Sequence, residues 1–248
     1  MKKTVLITGG SKGIGLATAE YLLKKEFAVL LLARSKEGLA SAREQLIEGG
    51  ASSSDIQTAV LDVGNADAIA ELVPLLEAMP DGLFGLVNNA ASEVIKPVVE
   101  YSLAEMETMW RVNVLAPVLM IQTCHPFLKK AGGSIVNIGS TADERYFAGY
   151  AYYGGTKAFL ASFTKHACKE LGYEGIRINS VSPGGIDTPL MREIEQQFPE
   201  KQIAEVKASI PIGQRWGTSE EIAQTVHFAL TGPSYLHGAD LRVHGGIY

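Results

Sequence analysis

The chain is poor in cysteine: Cys124 and Cys168 are the only two in 248 residues, and both lie in apolar, helix-like sequence. Two cysteines so far apart make no disulfide framework and fit buried free thiols in a reducing compartment. No CxxC or HExxH spacing occurs, and His125, His166, His227, His237 and His244 are dispersed, which leaves no metal-binding pattern. An excess of positive charge is missing as well. Lys and Arg number 22 against 27 Asp and Glu, and the formal net charge is −5. With no basic run, that balance offers nothing to nucleic acid or to an anionic membrane surface. Long apolar runs are absent, since the longest, Phe27 to Ala33, is far too short to span a bilayer. The start, Met1-Lys2-Lys3-Thr4-Val5-Leu6-Ile7-Thr8-Gly9, places two lysines before an apolar stretch. That stretch breaks at glycine too soon for a signal peptide and reads as a first strand. The expected location is the cytoplasm. No composition break, linker or internal repeat divides the sequence, so a single domain over 1–248 is expected.

What is present is an ordinary globular composition, 46% hydrophobic and 20% charged. Short runs of Val, Ile and Leu predict strands at Thr4–Thr8, Ala28–Ala33, Gln57–Asp62, Gly85–Asn88, Ser134–Ile138, Arg177–Ser182 and Asp240–Val243. They show little polar alternation, which is the pattern of strands covered on both faces in a parallel sheet. Between them, apolar residues at helical spacing predict helices over Ile14–Lys25, Ala66–Met79, Ser102–Lys129, Tyr153–Leu171 and Ser219–Leu230. Thr218-Ser219-Glu220-Glu221 has the hydroxyl cap and early acids of a helix start. The alternation predicts an α/β doubly wound fold built from βαβ units. The least regular stretch, 183–217, mixes Pro, Gly, charges and short helical pieces and is expected to form a lid over substrate.

Thr8-Gly9-Gly10-Ser11-Lys12-Gly13-Ile14-Gly15 follows the first strand where a helix begins. A dinucleotide pyrophosphate needs that context: glycines let the backbone turn tightly and approach phosphate, and the helix start offers free N–H groups. The spacing is GxxxGxG. A plain structural turn is the alternative, and Gly9-Gly10-Ser11-Lys12-Gly13 also satisfies the G-x-S-x-G of a nucleophile elbow. An elbow on the first strand would be out of place. At the end of the second strand, an NAD site expects an acid for the ribose 2′-hydroxyl. Arg34 and Ser35 stand there instead, and Lys12 is near in the same geometry. Arginine can grip a 2′-phosphate bidentately, so NADP(H) is the expected cofactor. Singly, each reads first as a solvated surface residue; together they favour NADP(H).

Tyr153 and Lys157 are four apart, hence on one face of a helix, one turn apart. A nearby ammonium is expected to lower the phenol's pKa and fit it for proton transfer. The pair alone is a weak signal, and a packed tyrosine beside a surface lysine is its bland reading. Ser140 follows a predicted strand at the sheet edge where ligands bind, and is either a helix cap or a hydroxyl for substrate oxygen.

Taken together, these segments resemble the short-chain dehydrogenase/reductase family, including its 3-oxoacyl-[acyl-carrier-protein] reductase-like members. The loop Gly9 to Gly15 matches its cofactor loop, with Ser11 and Ile14 inside it. Leu61-Asp62-Val63 resembles its adenine-contacting strand end, and Asn88-Asn89-Ala90-Ala91 its Asn-Asn-Ala-Gly signature. Asn113 matches the family's asparagine, and Ser140, Tyr153 and Lys157 complete its tetrad at the usual spacing. Pro183-Gly184-Gly185-Ile186-Asp187-Thr188 resembles the segment that closes over the nicotinamide. The resemblance spans the whole chain. It implies a seven-stranded parallel Rossmann sheet, and a homotetramer or homodimer. It also implies Ser140 polarising a carbonyl, Tyr153 as acid-base, Lys157 on the nicotinamide ribose and Asn113 positioning a helix turn and a water. Two residues depart from the pattern: Ala91 replaces the usual glycine, and His244 stands where an aspartate is common.

Three functions follow, each with a small-molecule partner. The first is an NADPH-dependent reductase of a ketone, a 3-oxoacyl thioester among the candidates. The second is an NADP(+)-dependent alcohol dehydrogenase. The third is a catalytically silent NADP(H)-binding sensor, against which the complete tetrad speaks; a hydrolase is more distant. Asp143, Glu144 and Arg145 follow Ser140 and are expected to be solvated at the cleft rim, with Arg145 alternatively meeting a substrate carboxylate. Lys129 and Lys130 suit the end of a helix, or a carrier protein.

Overall fold

In the computed structural model, which describes residues 2–247, seven parallel strands cross the centre of the chain. They are β1 (Thr4–Thr8), β2 (Ala28–Ala33), β3 (Ile56–Val60), β4 (Gly85–Asn88), β5 (Ser134–Ile138), β6 (Arg177–Pro183) and β9 (Asp240–Val243). Their order is β3-β2-β1-β4-β5-β6-β9. Register is continuous: Thr4 to Thr8 lie opposite Ala28 to Leu32, and Val5 to Ile7 opposite Gly85 to Val87. Two further strands, β7 (Ile186–Asp187) and β8 (Gly217–Thr218), pair with each other.

The helices are α1 (Gly13–Lys24), α2 (Lys36–Glu48), α3 (Ala66–Ala70), α4 (Val73–Glu77), α5 (Leu103–Trp110), α6 (Ala116–Ala131), α7 (Ala151–Leu171), α8 (Pro189–Glu195), α9 (Glu200–Ala208) and α10 (Ser219–Thr231). Successive residues of one strand feed opposite cores, because side chains alternate across a sheet. Leu6, Leu30, Leu86 and Ile135 pack with Leu76, Met120 and Leu128 from α4 and α6. Val5, Ile7, Leu31 and Val136 pack with Leu22, Leu46 and Val226 from α1, α2 and α10. Both faces are therefore dry, which is why these strands carry uninterrupted apolar runs. Each such side chain contributes about 1.5–3 kcal/mol by burial.

The strands stand within two residues of their sequence expectations; the helices differ more. The helix expected over Ala66–Met79 is two short ones, and Pro74, which has no N–H, sits at the start of the second. The helix expected over Ser102–Lys129 contains a π-turn, Arg111–Leu115, between α5 and α6. Pro117 follows that turn, so the Asn113 carbonyl has no N–H donor four residues on. Helix α2 is absent from the sequence expectation; its buried stripe is only Leu39, Ala42 and Leu46. The stretch 183–217 is more regular than expected. It holds α8 and α9, and the β7–β8 ladder ties its two ends together.

The strand order reverses at β1, which lies between β2 and β4. Loops after these strands leave in opposite directions and open a crevice at their carboxyl ends. None of the helices among the described residues is long and apolar enough to cross a membrane.

Candidate active site

A cleft of about 550 Å³ occupies that crevice. It is lined by Gly9, Ser11, Lys12, Gly13, Ile14, Arg34, Ser35, Asp62, Val63, Asn89 and Ala90 on one side. On the other side stand Ser140, Tyr153, Lys157, Pro183, Gly184, Ile186 and Thr188. Two expected site residues stay out of it. Gly15 lies behind the loop, where a Cβ would run into the Gly9 carbonyl and the Asn89 amide. Asn113 is 1% exposed and does not reach the cleft wall.

The glycine loop is shaped by its neighbours. Gly9 and Gly13 have φ of 64° and 56°, left-handed values that a side chain would strain. Asn89 fastens the loop: its Nδ2 donates to the carbonyls of Thr8 at 2.8 Å and Gly9 at 3.2 Å. Thr8 returns the bond, its Oγ1 accepting from the N–H groups of Asn89 and Ala90 at 2.9 and 3.0 Å. Helix α1 then starts at Gly13 with no side-chain cap and no acid in its first turn. Its free N–H groups and positive dipole end are left for an anion.

Beside this loop, Arg34 is exposed and forms no hydrogen bond or ion pair with any described residue. Ser35 caps α2, its Oγ accepting from Gly38 N–H at 2.9 Å. Lys12 is 3.9 Å from the Glu193 carboxylate, a loose surface pair. Asp62 accepts from Gly64 N–H at 2.9 Å, which fixes the turn after β3. These groups fit an adenosine with a 2′-phosphate: Arg34 has uncommitted donors, Glu193 holds Lys12 only loosely, and the Ser35 hydroxyl donates to Glu37 at 3.1 Å from the exposed start of α2.

The opposite wall carries the titratable groups. Tyr153 lies in the first turn of α7 with its side chain 7% exposed, and Lys157, one turn on, is 3% exposed. The Lys157 Nζ donates to the Ile138 carbonyl at 2.9 Å and sits 5.7 Å from the centre of the Tyr153 ring. Burial pulls Lys157 down to about 8, against the charge of Glu93, which raises it. The spacing of the pair predicts that the ammonium lowers the tyrosine. Instead, burial first and the Glu93 charge second push Tyr153 well above its ordinary value, with a hydrogen bond from Ser140 working the other way. Desolvation of the phenolate dominates. Ser140, at the end of β5, is both things the sequence leaves open: its Oγ accepts from Ala142 N–H at 3.1 Å, and it faces the cleft.

Asn113 acts at one remove. Its side chain accepts from Ser92 N–H at 2.8 Å and donates to Ser92 O at 2.8 Å and to Thr156 Oγ1 at 3.1 Å. It holds the loop after β4 against α7, using the π-turn to reach both. That loop delivers Glu93, which sequence reasoning missed. Burial raises Glu93 to about 7, opposed by the Lys157 charge. Its signal was an acid placed directly after Asn-Asn-Ala-Ala-Ser at a strand's carboxyl end. Leu190, Met191 and Ile194 of α8 add an apolar wall that the expectation of a lid does not resolve.

The acids after Ser140 are not all solvated. The Asp143 side chain is 3% exposed and forms a two-bond pair with Arg242, at 3.1 and 3.0 Å. Glu144 shares Arg242 at 2.9 Å from the surface. Arg145 stacks 4.6 Å over Phe147 and lies outside the cleft. Lys129 ends α6 and pairs with Glu174 at 2.7 Å.

Comparison with known proteins adds to this geometry. A family model described as short chain dehydrogenase matches residues 3–198. A tropinone reductase homolog of Arabidopsis thaliana is 34% identical over 99% of this chain and 92% of its own. A 3-oxoacyl-[acyl-carrier-protein] reductase of Pseudomonas aeruginosa is 33% identical over 99% of this chain and 97% of its own. The crystal structure of a variant actinorhodin polyketide ketoreductase with NADPH superposes with a TM-score of 0.90 at 26% identity, covering 99% of this chain and 97% of that one.

Proposed function

The chain belongs to the short chain dehydrogenase family, and from that premise we propose that it is an NADPH-dependent reductase of a ketone with Tyr153 as proton donor. As a member it is an oxidoreductase acting on carbonyl and alcohol groups. The preference for NADP(H) over NAD(H) is our reading of Arg34, Lys12 and Ser35. Relatives named as reductases, and the neighbour carrying NADPH, support it.

Bound NADPH would supply the hydride. The chain's residues do the rest. The free N–H groups at Gly13 and the loop fixed by Asn89 would hold the pyrophosphate, and Lys157 the nicotinamide ribose. The Ser140 hydroxyl donates to the substrate oxygen and orients it toward Tyr153. As negative charge grows on that oxygen, Tyr153 gives up its proton, and the alcohol forms. The observation that carries the reading is geometric: Ser140, Tyr153 and Lys157 line one wall of the cleft, with the Lys157 Nζ 5.7 Å from the centre of the Tyr153 ring. Lys157, near 8, can restore that proton from solvent. The segment 183–217, bracketed by the β7–β8 ladder, would close over substrate as a lid.

The test is NADPH consumption, followed by its near-ultraviolet absorbance, over 3-oxoacyl thioesters, cyclic ketones, steroids, quinones and sugars. A turnover abolished in Tyr153→Phe supports the assignment. Equal kcat/KM for NADH and NADPH would overturn the cofactor choice. Unchanged turnover in Tyr153→Phe would take the proton-donor role away from that residue. No turnover with any carbonyl, despite NADPH binding, would return the chain to the silent-sensor reading.

A further inference from the structure

The carboxyl group of Glu93 has no hydrogen-bond partner among the described residues. It stands in the cleft with Ser140, Tyr153 and Lys157. Among the described residues it makes no hydrogen bond and no ion pair. Lys157, whose charge it feels, spends its ammonium on the Ile138 carbonyl. The phenols that feel Glu93 are Tyr101, Tyr150 and Tyr153. Tyr101 gives its hydroxyl to the carbonyls of Val94 and Gly149, at 3.1 and 2.6 Å. Lys96, three residues on, is taken by Glu105 at 2.6 Å.

The backbone that carries Glu93 is anchored. The residue before it, Ser92, is held at both its N–H and its C=O by Asn113. A half-buried carboxyl in a cleft wall, without a donor, is partly desolvated at a cost, and proteins pair such groups. Here the space where a partner would stand is the substrate end of the cleft. The ring of Tyr153 lines that space, and the ring of Tyr150 stands edge to face against it at 6.1 Å. A carboxylate against aromatic rings is the chemistry that receives an organic cation.

We propose that Glu93 selects a ketone or alcohol that carries a positively charged nitrogen, whose charge completes an ion pair with Glu93 while its carbonyl oxygen meets Ser140 and Tyr153. The inference rests on the reductase reading and narrows its substrate. It disfavours acids and anionic carriers, which the same carboxylate would repel.

Titration gives the proposal a sign. Lys157, Tyr153, Tyr150 and Tyr101 are the titratable groups that face Glu93. Glu93 is neutral well below 7 and charged above it. Attraction for a cation therefore grows as pH rises through about 7. Lys157 changes charge near 8 and alters turnover of any substrate, so the discriminating quantity is a ratio between two substrates.

The experiment compares two ketones of the same shape with NADPH as reductant. One is the quaternary N,N-dimethyl piperidone cation, whose charge does not titrate. The other is the gem-dimethyl cyclohexanone with carbon in place of nitrogen. At about pH 8 the wild type is expected to prefer the cation by about tenfold in kcat/KM, and at about pH 6 by little. Glu93→Gln, of the same size without the charge, brings the ratio to near one at both. A wild type that shows no cation preference, or a Glu93→Gln enzyme that keeps it, overturns the inference and leaves the reductase reading intact. Failure to consume NADPH with any carbonyl sinks the reductase reading instead. In that event calorimetric titration of the NADPH-mixed protein with N,N-dimethylpiperidinium decides the inference. Binding in the wild type that is lost in Glu93→Gln sustains it, and no binding in the wild type overturns it.

Discussion

The cleft and the helix starts treat charge in opposite ways. In the cleft, burial drives Glu93 up to about 7 and Lys157 down to about 8, each toward its neutral form. At the starts of α5 and α10, the capping-box acids Glu105 and Glu221 are drawn down to about 2, toward their charged forms. Glu105 owes this first to the hydrogen bond from Lys96, and Glu221 to that from Arg215. The difference is solvation: the caps stay wet and partnered, while the cleft groups are dry and underpartnered. The signs for stability follow. Below 8 the folded chain must keep Lys157 charged in a dry site, a cost relieved as pH rises from about 8 toward 10.5. Glu93 costs nothing near 4.5 and its full amount above 7. The caps contribute stability above 4.5 and lose it as pH falls toward 2. At neutral pH the site destabilises and the helix starts stabilise, the arrangement expected where function needs strained groups on a sound scaffold.

The sharpest break of that contrast is Tyr153→Phe. It removes the proton donor and is expected to lower kcat by about a thousandfold, with melting temperature little changed. A comparable loss of both would mean that the hydroxyl holds the fold rather than the reaction. Arg34→Ala comes next. Arg34 is charged but exposed, so its loss is expected to raise KM for NADPH by roughly 10- to 100-fold, without effect on KM for NADH or on stability. Steady-state kinetics with both cofactors reads this directly.

Lys157→Met tests the cost itself. The shift from 10.5 to about 8 corresponds to roughly 3 kcal/mol of penalty for the buried ammonium at neutral pH. Losing its bond to the Ile138 carbonyl returns about 1–2 kcal/mol of that. The variant is thus expected to be inactive yet more stable by about 1–2 kcal/mol in urea unfolding near pH 7, with the gain vanishing above about pH 10. A variant less stable at every pH would show that Lys157 stabilises the fold, and that cleft and scaffold do not differ in this way.

Much of this contrast lay in reach of the sequence, but not its deciding part. The strands were legible because both faces are buried, so Val5 to Ile7 and Val29 to Leu32 needed no alternation to be recognised. The glycine loop, Ser140, Tyr153 and Lys157 were legible because their chemistry is local to a strand end or a helix turn. Their titration was not. The expectation that Lys157 lowers Tyr153 uses the pair's spacing alone, and burial reverses it. Glu93 was invisible for the same reason: an acid in a loop reads as solvated until Asn113 is seen to pin its neighbour, Ser92. Asp143 reads as solvated because its partner, Arg242, is 99 residues away. Asn113 was legible, yet its place in a π-turn behind the wall depends on Pro117, whose missing N–H no apolar period reveals.

The smallest effect belongs to the other side of the contrast. Thr218 accepts from Glu221 N–H at 3.2 Å, and Glu221 accepts from Thr218 N–H at 2.7 Å, so each end of the α10 start satisfies the other. Thr218 is exposed and outside the cleft. Thr218→Ala is expected to cost about 1 kcal/mol, because one N–H of the first turn returns to water. Glu221 would still hold Arg215 at 2.8 Å, so part of the acid's low pKa survives, and the loss of stability toward pH 2 becomes shallower without disappearing. Thermal unfolding between about pH 3 and pH 7 measures both quantities. Turnover should be untouched, since Thr218 does not line the cleft. A fall in kcat equal to that of a cleft variant would mean that the cap reaches Ile186 and Thr188 through the β7–β8 ladder, and the two regions would then be one.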